Sequence, residues 1–370
     1  MKIGIITYHR AINYGAVLQA YSLKTYLGDL GNMVEIINYY NVDKKSKIHS
    51  KKEKLISTIW SPFCKILGKA KKEKKFIHFQ NDYLNRNNIL IKNDIELCKY
   101  VDENKIDCLV SGSDQVWNPN INGRDPSFYF GFDTKAKKMS YAASFGASSL
   151  KENDSLEIAG YLKDFSFISV REKTGQTIID NMNSNIKTYV VVDPVFLHNF
   201  DFWSNFAGQR LFKKKYVFCY VMPGDKEVEK KIEKLAKQYK KGTSAKIIFV
   251  GRKEYKRLKP DGKDFISASP REFVNLICYA DFVITNSFHG TAFSTLLNKN
   301  FYSINSGNKN SSKRYGSRIN DFLESIGLNE RILEKDSNPD FSKINYELVN
   351  KKLHSWIQES KDLLEESIKE

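Results

Sequence analysis

Residues 281–299 read DFVITNSFHGTAFSTLLNK, a run in which a strand must turn directly into a helix. Asp281–Thr285 is a short apolar run of strand type, and Ala292–Leu297 is helical in pattern. Between them stand Asn286, Ser287, His289, Gly290 and Thr291. A helix that starts at such a turn leaves several backbone N–H groups without intrahelical partners, and its dipole favours an anion there. His289 can carry a proton near neutral pH. An anion cradle beside a proton donor suits a phosphorylated or carboxylated substrate. The plainer alternative is that His289 caps the helix or packs as a polar core residue.

Three other apolar runs end in polar residues in the same way. CLVSGSDQVWN (108–118) ends its strand at Ser113 and Asp114, MSYAASFG (139–146) ends in small polar residues, and FISVREKTG (167–175) places Arg171 and Glu172 before a helix. In an open parallel sheet, ligands bind beyond the carboxyl ends of the strands. The opening of the chain is a β-α-β pattern: strand 2–7, helix Ala16–Leu30, strand Met33–Asn38. It lacks the G-x-G-x-x-G fingerprint, which argues against a nicotinamide or flavin site there. Further strands are expected at 108–111, 138–143, 167–170 and 188–192, with helices between, so the sheet should be mostly parallel.

A chain of 370 residues favours two domains. The expected organisation is a first α/β domain over 1–197, a linker over 198–215, a second α/β domain over 216–340 and a terminal helix over 341–370. Ser269-Pro270 is a good helix start, with serine as cap and proline at the first position. The first domain carries a basic helical insert at about 43–90. From Asp43 to His78 there are twelve lysines against three acids, nine of the sixteen net positive charges. Ile59, Trp60, Phe63 and Ile66 are interleaved with them. Such a stretch either lies on an anionic membrane surface or packs its apolar side on its own domain. No run of about 18 apolar residues is present, so no membrane span is expected. The N-terminal apolar run is too short for a signal peptide. Five irregularly spaced cysteines with no C-x-x-C pair argue against zinc and a disulfide framework, and fit a reducing cytoplasm.

Six segments in order carry a family resemblance: NYGAVLQAYSL (13–23), SGSDQVWN (111–118), SYAASFG (140–146), SVREKTG (169–175), VVDPVFL (191–197) and TNSFHGTAFSTLL (285–297). Together they resemble the polysaccharide pyruvyl transferase family. The resemblance implies two Rossmann-like domains in a GT-B-like arrangement, with the terminal helix packing back on the first domain. It implies transfer of the enolpyruvyl unit of phosphoenolpyruvate to a sugar of a cell-surface polysaccharide, or its lipid-linked precursor, closed as a cyclic ketal. Phosphoenolpyruvate is then a co-substrate and no cofactor or metal is required, since arginine and backbone donors can neutralise the anions. A lipid-linked oligosaccharide acceptor would place a cytoplasmic enzyme at the inner face of the cell membrane, in peripheral contact with anionic lipid.

The candidate roles follow from chemistry. His289 is the acid or a phosphate partner. Arg171 suits phosphate or carboxylate binding, or else pairs with an acid such as Glu172. Asp114 orients acceptor hydroxyls, or shapes its loop as an Asx turn. Trp117 can stack on a sugar or pack on its own domain. Asn13, Tyr14 and Gly15 follow the first strand, and Asn13 is equally a helix cap. Ser113, Asn286, Ser287, Gly290 and Thr291 complete the strand-end set. Arg314 and Arg318, in KRYGSRI, can reach an anion or form a basic helix face. Two rival functions remain: a GT-B glycosyltransferase using a nucleotide sugar, and a non-enzymatic membrane- or nucleic-acid-binding protein. No nucleic-acid partner is expected, because the lysines lack interleaved aromatics suited to base stacking and no RNA-binding motif occurs.

Overall fold

The computed structural model describes residues 1–41, 62–84, 89–182, 185–251, 262–264, 267–305, 317–333 and 339–369. The chain divides into two compact units. One contains Met1–Phe63, Ile77–Leu197 and Trp356–Glu370; the other contains Cys64–Phe76 and His198–Ser355.

In the first unit, β1 (Lys2–Ile6), β2 (Met33–Ile36), β3 (Cys108–Ser111) and β4 (Lys137–Ser140) form a parallel sheet in the order β2-β1-β3-β4. Two short strands, β5 (Ser169–Val170) and β6 (Tyr189–Val190), pair in parallel, and the bridges Met139–Phe167 and Ala143–Val170 continue the sheet onto them. Ile3, Ile5, Leu109 and Val110 are fully buried, as strands covered on both faces require. The helix Tyr14–Asp29 begins two residues earlier than its apolar stripe implied. Asn13 is its cap, accepting from the backbone N–H of Gly15 at 3.0 Å. The order of the first four strands puts a topological switch between β1 and β3.

The second unit holds β7 (Tyr216–Tyr220), β8 (Lys246–Val250), β9 (Gly262–Asp264), β10 (Phe282–Thr285), β11 (Phe301–Ile304) and β12 (Ile332–Leu333). All pair in parallel, in the order β12-β11-β10-β7-β8-β9. That is the doubly wound order 3-2-1-4-5-6, whose switch lies between β7 and β10. The helix Pro270–Cys278 starts in a full capping box between Ser269 and Glu272, with proline in the first turn. The stretch read as a linker, 198–215, contains the helix Phe200–Ala207. Its Trp203 is fully buried, edge-on to Phe293 at 4.9 Å.

The basic insert becomes the helix Pro62–Leu84; residues 42–61 and 85–88 lie outside the described residues. Phe76, Phe79 and Leu84 on this helix are buried, while Lys71 and Lys74 are exposed. Lys75 donates to Glu272 at 2.5 Å. Lys72 lies 5.5 Å from the Phe76 ring centre, and burial pushes its ammonium down to about 8. The last helix, Tyr346–Lys369, contributes its Trp356–Glu370 portion to the first unit. There the Trp356 indole donates to Val190 O at 3.1 Å and Ser360 Oγ accepts from Val192 N at 3.1 Å. Among the described residues no helix is long and apolar enough to cross a membrane.

Phe76 tests how much of the insert is core. Phe76→Ala should cost about 3–5 kcal/mol in urea unfolding, the range for emptying a buried aromatic site. Lys71→Gln and Lys74→Gln should stay within about 0.5 kcal/mol. Equal, small effects for all three would mean that this helix is not packed.

Candidate functional site

The strand ends of the first unit are tied by a buried ionic network. Arg171 follows β5, and Asp193 lies beyond β6. Nη1 of Arg171 donates to Asp193 Oδ2 at 2.8 Å and to Ser113 Oγ at 3.3 Å, and the Ser113 hydroxyl donates to the same carboxylate oxygen at 3.2 Å. Nε of Arg171 stands 3.6 Å from Glu172 Oε2, and Glu172 accepts from Ser144 Oγ at 2.6 Å. The Arg171 and Asp193 side chains are 1% and 0% exposed. The two carboxylates hold the guanidinium protonated against the desolvation that opposes it. Of the two readings of Arg171, anion binding and pairing with an acid, this geometry shows the pairing: its guanidinium joins strand ends. Asp193 had no assigned role in the sequence reading, although an Asp-Pro at a strand end marks the place.

Asp114 sits beside this network with φ +78°, an uncommon conformation for a residue with a Cβ. Its backbone oxygen accepts from Ser144 N at 3.0 Å and Val116 N at 2.8 Å, and its Oδ1 accepts from Gln115 N at 2.8 Å. Asp114 lines a cavity of ≈ 350 Å³ beyond β1 and β3. Asn13 also lines that cavity, whereas Tyr14 and Gly15 are buried in the first turn of their helix. Sequence reasoning missed Arg10, Tyr39, Tyr40, Gln115 and Asp125, which line it too. Tyr39 donates to Asp125 at 2.6 Å, and burial together with that carboxylate keeps the phenol protonated. Trp117 takes the second of its two readings, packing on its own domain. It is fully buried, stacked on Tyr129 at 5.6 Å, with its indole donating to Phe128 O at 3.1 Å, so no face is left for a sugar.

The second unit places its strand-end residues at the switch between β7 and β10. The Asn286 side chain accepts from Met222 N at 2.7 Å and donates to Met222 O at 2.9 Å, locking the two strand ends together. Thr285 Oγ1 donates to Tyr220 O at 2.8 Å and accepts from Ser287 N at 3.1 Å. Ser287 caps the helix Phe288–Leu296, accepting from Gly290 N at 3.4 Å. His289 therefore lies within the first turn, not ahead of it. It is 6% exposed, its ring edge-on to Phe288 at 5.2 Å. Gly290 is required because a Cβ there would collide with the Thr285 hydroxyl. Thr291 donates to Ser287 O at 3.0 Å and shares a hydrogen bond with Ser303 at 2.6 Å, a structural role. Arg318 stands in the first turn of the helix Ser317–Ile326, and Arg314 lies outside the described residues.

Asn13, Ser113, Asp114 and Arg171 are thus gathered in the first unit, and Asn286, Ser287, His289 and Gly290 in the second. Among the described residues no cluster of three or more His, Cys, Asp or Glu side chains is placed to hold a metal ion. The buried pair makes a stability prediction. Arg171→Met should cost about 3–5 kcal/mol, because Asp193 and Glu172 lose their buried counter-ion. Adding Asp193→Asn should recover more than about 1 kcal/mol, the signature of direct coupling. Strict additivity in denaturant melts would refute the pairing.

A sequence model described as "Polysaccharide pyruvyl transferase" matches residues 13–308. No curated protein matches the chain. Among solved structures, the UDP-GlcNAc 2-epimerase of Methanocaldococcus jannaschii is similar with a TM-score of 0.51 at 13% identity, over 96% of this chain and 93% of that one. A putative UDP-N-acetylglucosamine 2-epimerase from Listeria monocytogenes gives 0.50 at 8% identity, over 98% and 88%. These likenesses show the fold: α/β, with two Rossmann-like domains of the GT-B class. With the family match covering most of the chain and the six segments falling in order, the chain belongs to the polysaccharide pyruvyl transferase family.

Proposed function

We propose that the protein transfers pyruvate from phosphoenolpyruvate to a hydroxyl pair on a sugar of a cell-surface polysaccharide or its lipid-linked precursor, forming a ketal. The observation that carries the chemistry is His289 in the first turn of a helix that starts at the switch of the second unit's sheet. That turn offers backbone N–H donors and the positive end of the helix dipole to an anion, with a titratable imidazole beside them. Ser287 and Gly290 hold this turn in shape, and Arg318, in the first turn of the helix Ser317–Ile326, adds positive charge to this unit.

The reaction divides into balanced steps. A proton goes to the C3 methylene of phosphoenolpyruvate, leaving C2 electron-poor. One sugar hydroxyl adds to C2 and gives up its proton. The C2–O bond to phosphate breaks and inorganic phosphate leaves. The second hydroxyl adds to C2, loses its proton, and the ring closes. His289 supplies the first proton, and donors at the helix start stabilise the charge that develops on the phosphate. Asp114 is the first unit's candidate for binding hydroxyls of the acceptor sugar. Arg171 and Asp193 act through Ser113 to hold Asp114 in place, as positioning residues.

Two measurements test this reading. Phosphate release from phosphoenolpyruvate, with a panel of glycan acceptors, should fall about 100-fold or more in His289→Ala while the melting temperature holds, the scale of losing a general acid. Phosphoenolpyruvate should raise the wild-type melting temperature, and nucleotide sugars should not. Full turnover by a folded His289→Ala variant, or stabilisation by nucleotide sugars alone, would sink the proposal. For a lipid-linked acceptor, the basic stretch 43–78 gives salt-sensitive attachment, each lysine near an anionic surface contributing about 1 kcal/mol. Sedimentation with anionic liposomes should drop when Lys71 and Lys74 are changed to Gln together with Lys51 and Lys52. Absence of wild-type sedimentation at low salt would exclude the membrane contact.

A further inference from the structure

The cavity beyond β1 and β3 has a character of its own. Its volume, ≈ 350 Å³, falls in the range of small-molecule sites, and it lies where an open α/β sheet reverses its winding. Its charged lining is two carboxylates, Asp114 and Asp125, against one guanidinium, Arg10. Arg10 is turned to a structural task. Its Nη1 donates to Asn38 Oδ1 at 2.8 Å, and its guanidinium lies 5.2 Å from the Tyr40 ring centre, bracing that wall. Asp125 braces Tyr39 in the same way and also accepts from Ser127 N at 3.2 Å. Asp114 is different: among the described residues only Oδ1 takes a protein donor, so Oδ2 is left for a ligand. Asn13 uses its oxygen at the helix cap, which leaves its NH₂ group as a donor.

We infer that this cavity seats an uncharged pyranose ring and rejects phosphoenolpyruvate, and that the braced pair Tyr39 and Tyr40 selects which ring fits. The argument is one of complementarity. A sugar ring presents apolar C–H faces to aromatic walls and hydroxyls that both donate, to Asp114, and accept, from Asn13. Phosphoenolpyruvate presents a phosphate and a carboxylate, which a half-enclosed lining of two carboxylates against one guanidinium disfavours. The buried ionic group below, one arginine against Asp193 and Glu172, adds to the negative sign. That the seated ring is the one receiving the pyruvyl group rests on the function proposed above; the selectivity of the cavity does not.

Ligand-observed saturation-transfer NMR and calorimetry can read both halves on the full chain. The probes are neutral methyl pyranosides of glucose, galactose, mannose and N-acetylglucosamine, and phosphoenolpyruvate alone. At least one pyranoside should bind the wild type. Tyr40→Ala should weaken it about tenfold, the effect of losing one stacking wall. Ala11→Trp, which fills the cavity from a half-exposed loop position without removing a polar group, should abolish it. Affinity for phosphoenolpyruvate should be unchanged in both variants. A loss of phosphoenolpyruvate binding in Ala11→Trp would overturn the inference, as would equal pyranoside binding in all three proteins, or none in the wild type. If the wild type binds pyranosides but not phosphoenolpyruvate, the pyruvyl-transfer reading fails and the cavity assignment stands.

Discussion

The Arg171–Asp193 contact is the constraint on which the first unit's functional end depends. A charge at 1% exposure is costly unless opposite charge and hydrogen bonds surround it. Here two carboxylates and a serine hydroxyl do so, and they come from different strand ends: Ser113 after β3, Glu172 after β5, Asp193 after β6. β5 and β6 each have only two residues in the ladder, too few backbone hydrogen bonds to fix their ends firmly. The ionic network supplies that fixity through side chains. Its effect reaches Asp114, whose φ of +78° persists because Ser113 on one side and Ser144 on the other are both anchored.

The second unit solves the same problem with neutral groups. Asn286 copies a backbone ladder pair by donating to and accepting from Met222, and Thr285 bridges β10 to β7 through its hydroxyl. No carboxylate is needed to hold this turn, so the start of the helix Phe288–Leu296 keeps its positive character; its first turn contains no acidic residue. The two units therefore present opposite local signs beyond their switch points. An anionic substrate group suits the second and a neutral polyol suits the first.

Much of this was legible in the sequence, and the failures have physical causes. The long strands and the capped helices follow from apolar runs, Asn13, and Ser269-Pro270, because those signals are local. β9 and β12, with three and two residues, carry no pattern that separates them from loop. Arg171 was found by its strand-end position, but its partner Asp193 lies 22 residues away on another strand, and no periodicity connects them. The sequence leaves Trp117 between stacking on a sugar and packing on its own domain, because a polar loop around a tryptophan does not show which surface it meets. The aromatic slab of Tyr129, Phe145 and Phe165 that encloses it assembles only in three dimensions. The cavity residues Arg10, Tyr39, Tyr40 and Asp125 come from three separated segments and were invisible for the same reason.

Global and local electrostatics act here at different ranges. The formal net charge of +16 produces a positive field that draws anions such as phosphoenolpyruvate toward the protein. At physiological salt that field decays over about 8 Å, so it raises encounter rates without deciding where an anion rests. Within a half-enclosed site the nearest charges dominate, since the Coulomb term grows as distance and dielectric fall. Asp114 and Asp125 outweigh Arg10 in the first unit's cavity even though lysines crowd the surface elsewhere. A basic protein can thus keep one pocket hospitable to an uncharged ligand while concentrating anions around itself, and the sign of each site, not the sign of the chain, sorts the two.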